Sequence, residues 1–181
     1  MKKRLLFCIL ALVVLVGGAS LAYRLLADHG DAPTLNMRDP ETGFIDFAAE
    51  DQAGNPTRLS DVIAGRPAVV YFWTTWCHFC TMGLDELRTL YDGEGDRVQF
   101  LGLNATQLRV GMGEAEAGRA YWEAHDFPFP TLYDVHAEAI QAYGVTGIPF
   151  ALFIDSGGNI VHRQVGFQDA TAMAGLLAEL E

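Results

Sequence analysis

The run Val69-Val70-Tyr71-Phe72-Trp73-Thr74-Thr75-Trp76-Cys77-His78-Phe79-Cys80 constrains this chain more than any other stretch, because an apolar strand leads directly into two cysteines three residues apart. Ala68 to Trp73 is continuously apolar and rich in β-branched and aromatic residues, which suits a strand buried on both faces in the middle of a sheet. From the second cysteine onward, Phe79, Met82, Leu87, Leu90 and Tyr91 recur at roughly helical spacing. The pair therefore falls at a strand-to-helix junction. Cys77 is expected in the first turn of that helix, where free backbone N–H groups and the positive end of the helix dipole favour a thiolate. Its pKa is expected to fall to about 7 or below. Cys80, about one turn further in, can reach back to close a disulfide. One sulfur is then exposed and attacking, the other shielded and resolving.

Two plainer readings compete. A Cys-x-x-Cys can be half of a structural zinc site, but four ligands are normally needed and the only other cysteine, Cys8, lies in an N-terminal apolar segment. A purely structural disulfide is the other. Trp76 directly before the pair, together with the strand-to-helix context, favours a redox site.

Composition bounds the rest of the chain. At 181 residues, half of them hydrophobic, it holds one domain with a substantial core plus a terminal appendage. Lys2, Lys3 and Arg4 precede an uncharged run from Leu5 to Tyr23, with Arg24 after it. Residues 1–26 thus read as an uncleaved membrane anchor, basic end inside and domain outside, with residues 5–23 in the inner membrane. A signal peptide cut near Ser20-Leu21-Ala22 is the alternative. Beyond Arg24, eight arginines and no lysine stand against all 23 acidic residues. So acidic a domain disfavours nucleic acid and anionic membrane surfaces as partners.

Residues 27–42, with Asp28, Gly30, Asp31, Pro33 and Pro40, read as a linker, and residues 43–181 as the domain. Gly43 to Phe47 and Pro56 to Leu59 flank the turn-rich Asp51 to Asn55 and predict a hairpin. Ser60 or Asp61 is expected to cap a short helical turn before Pro67. Asp92 to Asp96 is expected to turn the chain into a strand over Arg97 to Asn104, and Glu114 to His125 to form a surface helix. The prolines of Phe127-Pro128-Phe129-Pro130 enforce extended chain. A short helix is expected from Tyr133 to Tyr143, ended by Gly144. Phe150 to Asp155 and Ile160 to Val165 around Ser156-Gly157-Gly158-Asn159 predict a second hairpin. Met173, Leu176, Leu177 and Leu180 mark a closing helix.

This order of elements is that of an α/β thioredoxin fold with an N-terminal β-hairpin and a central insertion. Trp76-Cys77-His78-Phe79-Cys80, Tyr143-Gly144-Val145-Thr146-Gly147-Ile148-Pro149, and Phe153-Ile154-Asp155 followed by Gly157-Gly158 and Ile160 resemble the TlpA/ResA-like thioredoxins, anchored thiol-disulfide oxidoreductases of the bacterial cell envelope. The resemblance covers about residues 43–180. It implies an exported protein that reduces disulfides of proteins such as apocytochrome c or copper-site proteins, supplied with electrons by a membrane thiol donor. It also implies a cis Ile148–Pro149 peptide against the cysteine pair, with the Ile148 backbone turned toward an extended substrate. No cofactor and no metal is expected.

Two departures from that family bear on mechanism. Tyr71 stands where thioredoxins proper place a buried Asp, and Gly83 where many TlpA/ResA-like proteins carry a Glu. Asp85 or Glu86 is a candidate replacement as proton acceptor for Cys80, and Asp85, in the place of a helix-bending proline, implies a straighter helix. His78, if protonated, is expected to stabilise the Cys77 thiolate by charge and hydrogen bonding, which makes the disulfide more oxidising. Two other functions remain open. One is a disulfide-forming oxidant; the other is a copper(I)-delivery module, for which the two-residue cysteine spacing is unusual.

Overall fold

The computed structural model describes residues 43–109 and 113–180, which form a thioredoxin-like α/β domain. Seven strands make one mixed sheet: β1 (Ala48–Glu50), β2 (Pro56–Arg58), β3 (Ala68–Trp73), β4 (Gln99–Asn104), β5 (Thr131–Tyr133), β6 (Phe150–Ile154) and β7 (Ile160–Val165). Their spatial order is β2-β1-β5-β4-β3-β6-β7. Among the described residues the helices are α1 (Leu59–Ile63), α2 (His78–Glu94), α3 (Glu114–His125), α4 (Glu138–Tyr143) and α5 (Ala170–Leu177), with a 3-10 turn at Thr106–Arg109. The expected anchor and linker, residues 1–42, lie outside the described residues. Among the described residues, no helix is long and apolar enough to cross a membrane.

Strand β3 is central, parallel to β4 on one side and antiparallel to β6 on the other. All six of its side chains are buried, as its unbroken apolar run predicts. Because side chains alternate across a strand, they fill two separate cores. Ala68, Val70 and Phe72 pack with Leu59 and Ile63 of α1 and with Ala139 and Tyr143 of α4. Val69, Tyr71 and Trp73 pack with Cys80, Leu84 and Leu87 of α2 and Met173 and Leu177 of α5. Each large apolar side chain among them contributes about 1.5–3 kcal/mol by leaving water. The cysteine helix thus lies on the odd-numbered face of β3.

Four expectations shift, each for a specific reason. Pairing in the first hairpin starts at Ala48, not Gly43. Upstream, the Tyr143 hydroxyl accepts from Ile45 N and donates to Ile45 O, so a side chain satisfies backbone groups that a ladder would otherwise take. Neither Ser60 nor Asp61 caps α1. Asp46 does so from across the hairpin, accepting from Ser60 N at 3.0 Å, Ser60 Oγ at 3.0 Å and Arg58 Nε at 2.6 Å. Tyr133 ends β5 beside β4, and the helix begins only at Glu138, where Asp134 accepts from the N–H groups of Ala139 and Ile140. Helix α2 also runs on through Asp92 and Gly93 to Glu94, and Gly95 closes it. The second hairpin forms as expected, its turn pinned by Asp155 accepting from Asn159 N and Nδ2.

Candidate active site

The site grows from the carboxyl end of β3. Trp73 is locked by Nε1 donating to Thr131 Oγ at 3.2 Å, and a turn closed by Cys77 N donating to Thr74 O follows. Cys77 is the N-cap of α2 and not a residue of its first turn as expected. Its Sγ accepts from Cys80 N at 3.3 Å. The sulfur therefore sits on a first-turn N–H at the positive end of a 17-residue helix, which favours a thiolate. Cys80 is fully buried in the core that holds Tyr71 and Leu84, whereas Cys77 is partly exposed. The two are joined by a disulfide with Cα atoms 5.2 Å apart.

His78 is exposed, with its ring 5.9 Å from that of Phe79. Its carbonyl accepts from Thr81 Oγ, but its ring makes no hydrogen bond among the described residues, so any help the ring gives Cys77 here is by charge alone. Phe79, 58% exposed, approaches Phe167 at 6.4 Å between ring centroids, so an apolar surface adjoins the pair. The Ile148–Pro149 peptide is cis, as the resemblance implies. Ile148 packs against both cores, including the one that holds Cys80.

Neither candidate replacement for the missing acid faces Cys80 in a free state. Glu86 accepts from Ala170 N at 2.9 Å and so caps the start of α5. Asp85 is exposed, and its charge adds to burial in pushing up the pKa of the Tyr121 hydroxyl. Tyr71 is itself a buried hydroxyl without a partner among the described residues. Burial pushes its pKa well above the usual tyrosine value, so it keeps its proton and is no base.

Four residues at the site, Thr75, Asn104, Arg109 and Glu114, are not singled out by the sequence pattern. Glu114, the first residue of α3, is only 4% exposed. Its Oε1 accepts from Thr75 N at 2.7 Å and Asn104 Nδ2 at 2.9 Å, and its Oε2 from Thr75 Oγ at 2.7 Å. The Arg109 guanidinium lies 4.0 Å over the Trp76 ring. The segment between β4 and β5 thus holds the cysteine loop at two successive residues. An acidic residue opening a helix looks like an ordinary solvated end, so nothing local marks Glu114 as buried.

Fold and pair together define the class: this is a thioredoxin-like thiol-disulfide oxidoreductase. Residues 40–163 match the AhpC/TSA family, to which the chain belongs. It is 25% identical to the thiol-disulfide oxidoreductase ResA of Bacillus anthracis over 182 residues, 99% of this chain and 98% of that protein. It is 24% identical over 103 residues to the sporulation thiol-disulfide oxidoreductase A of Bacillus subtilis (strain 168), covering 56% of this chain and 61% of that protein. Among solved structures, the exposed lipoprotein thioredoxin Etrx1 of Streptococcus pneumoniae strain TIGR4 superposes with a TM-score of 0.63 at 27% identity, over 75% of this chain and 99% of that one. StoA from Bacillus subtilis does so with a TM-score of 0.60 at 20% identity, over 72% and 95%.

Proposed function

We propose that the domain works as a disulfide reductant in the bacterial cell envelope, held at the outer face of the inner membrane by residues 5–23 through the linker 27–42. The observation that carries this reading is the asymmetry of the pair, with Cys77 accessible at the N-cap of α2 and Cys80 fully buried behind it. The Cys77 thiolate attacks a substrate disulfide, forming a mixed disulfide and releasing one substrate thiolate. Cys80, deprotonated, then attacks Cys77 Sγ. The Cys77–Cys80 bond forms and the second substrate thiolate leaves, so two electrons have passed to the substrate, whose two thiolates take up from water the two protons that the dithiol gave up to it. A membrane thiol donor returns the pair to its reduced form.

Trp76, His78, Ile148 and Pro149 surround this chemistry as supporting residues. Exposed Phe79 and the half-buried Phe167 beside it offer apolar contact to an extended segment of an exported protein bearing a disulfide. Substrates of the kind the resemblance implies are apocytochrome c and copper-site proteins.

The N-cap position of Cys77 also favours the reverse reaction, since whatever stabilises its thiolate makes the disulfide a better oxidant. Direction is decided by equilibration with glutathione or dithiothreitol. A potential near that of thioredoxin, about −270 mV, with reduction of insulin, supports the reductant; one near about −120 mV identifies a disulfide-forming oxidant.

A further inference from the structure

We propose that Glu114 is a positioning residue through which the inserted segment biases the pair toward reduction: its buried carboxylate fixes the Thr74–Cys77 loop and opposes negative charge on Cys77. This rests on the reading of Cys77 as the titrating nucleophile.

The partners suit a carboxylate. Thr75 N and Asn104 Nδ2 can only donate, and both point at Oε1. The Asn104 amide is oriented independently, because its Oδ1 accepts from Thr106 Oγ at 3.1 Å. A carboxylate satisfies all three donors. Gly118, one turn along α3, lets the helix come this close: a Cβ there would lie 2.7 Å from Asn104 Nδ2.

Distance and burial give the carboxylate its reach. Thr75 and Cys77 are two residues apart, at most about 7 Å along the chain. The carboxylate is joined to Thr75 N at 2.7 Å, so two residues and one hydrogen bond separate it from Cys77. The neighbouring Thr74 is fully buried and Glu114 nearly so, and charges shielded from water are screened less by salt. A fixed negative charge destabilises the reduced form, in which Cys77 is a thiolate, and leaves the neutral disulfide untouched. The couple becomes more reducing, against the pull of the helix terminus.

Two single variants of the full-length protein give opposite signs. Glu114→Gln keeps the length of the side chain and an acceptor but removes the charge. Thr75→Val keeps the charge but withdraws one of the donors that offset it. Cys77 alkylation by iodoacetamide is followed against pH, and the pair is equilibrated with glutathione. Glu114→Gln is expected to lower the Cys77 alkylation midpoint and to shift the equilibrium about tenfold toward the dithiol, about 30 mV. Thr75→Val is expected to shift both in the reverse direction. Equal loss of thermal stability in both redox forms, with the pH profile and equilibrium unchanged, overturns the proposal and leaves Cys77 as the nucleophile. If Glu114→Gln does not fold, Thr75→Val alone decides by the sign of its shift. A wild-type protein in which iodoacetamide modifies Cys80 and spares Cys77 overturns the nucleophile assignment, and this proposal with it.

Discussion

The Tyr71 hydroxyl fills the space above Gly83: a Cβ on Gly83 would lie 2.0 Å from that oxygen and 2.7 Å from the ring carbon that bears it. The aromatic residue on β3 and the bare backbone on α2 therefore require one another. A carboxylate at Gly83 is excluded while Tyr71 stays as it is. Tyr71, where thioredoxins proper place an Asp, and Gly83, where many TlpA/ResA-like proteins carry a Glu, are thus sterically linked.

Gly83→Ala is accordingly expected to destabilise the protein by about 1–3 kcal/mol through overpacking. Tyr71→Phe removes a buried hydroxyl that has no partner among the described residues, and should be neutral or stabilising. Adding Tyr71→Leu to Gly83→Ala should recover part of the loss by making room. Urea unfolding of the oxidised proteins measures all three, and a Gly83→Ala protein as stable as wild type would refute the contact.

The two cysteines are expected to separate by function. Cys80→Ser leaves a nucleophile that attacks but cannot release, so it should accumulate mixed disulfides with envelope proteins, seen as reductant-sensitive bands on a non-reducing gel. Cys77→Ser should trap none. The opposite pattern would make Cys80 the attacking sulfur despite its burial. If neither traps and both abolish tight copper(I) binding, a copper-delivery module replaces the oxidoreductant reading.

His78→Ala is expected to make the potential more negative by an amount on the order of 30 mV, because it removes a ring that, if protonated, stabilises the Cys77 thiolate. The ring is exposed and acts through charge alone, so the shift should shrink as salt is raised. An unchanged potential at low salt would reduce His78 to a spacer.

The full-length protein is expected to sediment with membranes and to keep its N-terminal segment. N-terminal sequencing of the native protein that begins just after Ala22 would show instead a cleaved signal and a free envelope protein.

How far the sequence speaks depends on whether a residue's role is local. Strand β3, the β6–β7 turn and the cysteine pair are legible because apolar runs, Gly-Gly turns and Cys-x-x-Cys spacing act within a few residues of themselves. What is hidden depends on partners distant in the chain. Gly43 to Phe47 reads as a hairpin arm because it flanks the turn-rich Asp51 to Asn55, but Tyr143, 98 residues away from Ile45, takes the backbone bonds. Asp46 gives no sign of capping α1, whose Ser60 lies 14 residues later. Glu114 is the sharpest case, since the Thr75 it holds lies 39 residues upstream.

The alternating allegiance of β3 has an evolutionary consequence. Its sheet works as a partition: substitutions among Val70, Phe72 and their neighbours on α1 and α4 change how firmly the domain folds, with little said to the cysteines on the far side. Substitutions at Val69, Tyr71 or Trp73 press on the compartment of Cys80 directly. Divergence in redox poise between related chains should therefore be written in the odd-numbered positions of this strand, and drift in stability in the even ones. Ile148, which touches both compartments, is the position where the two histories meet.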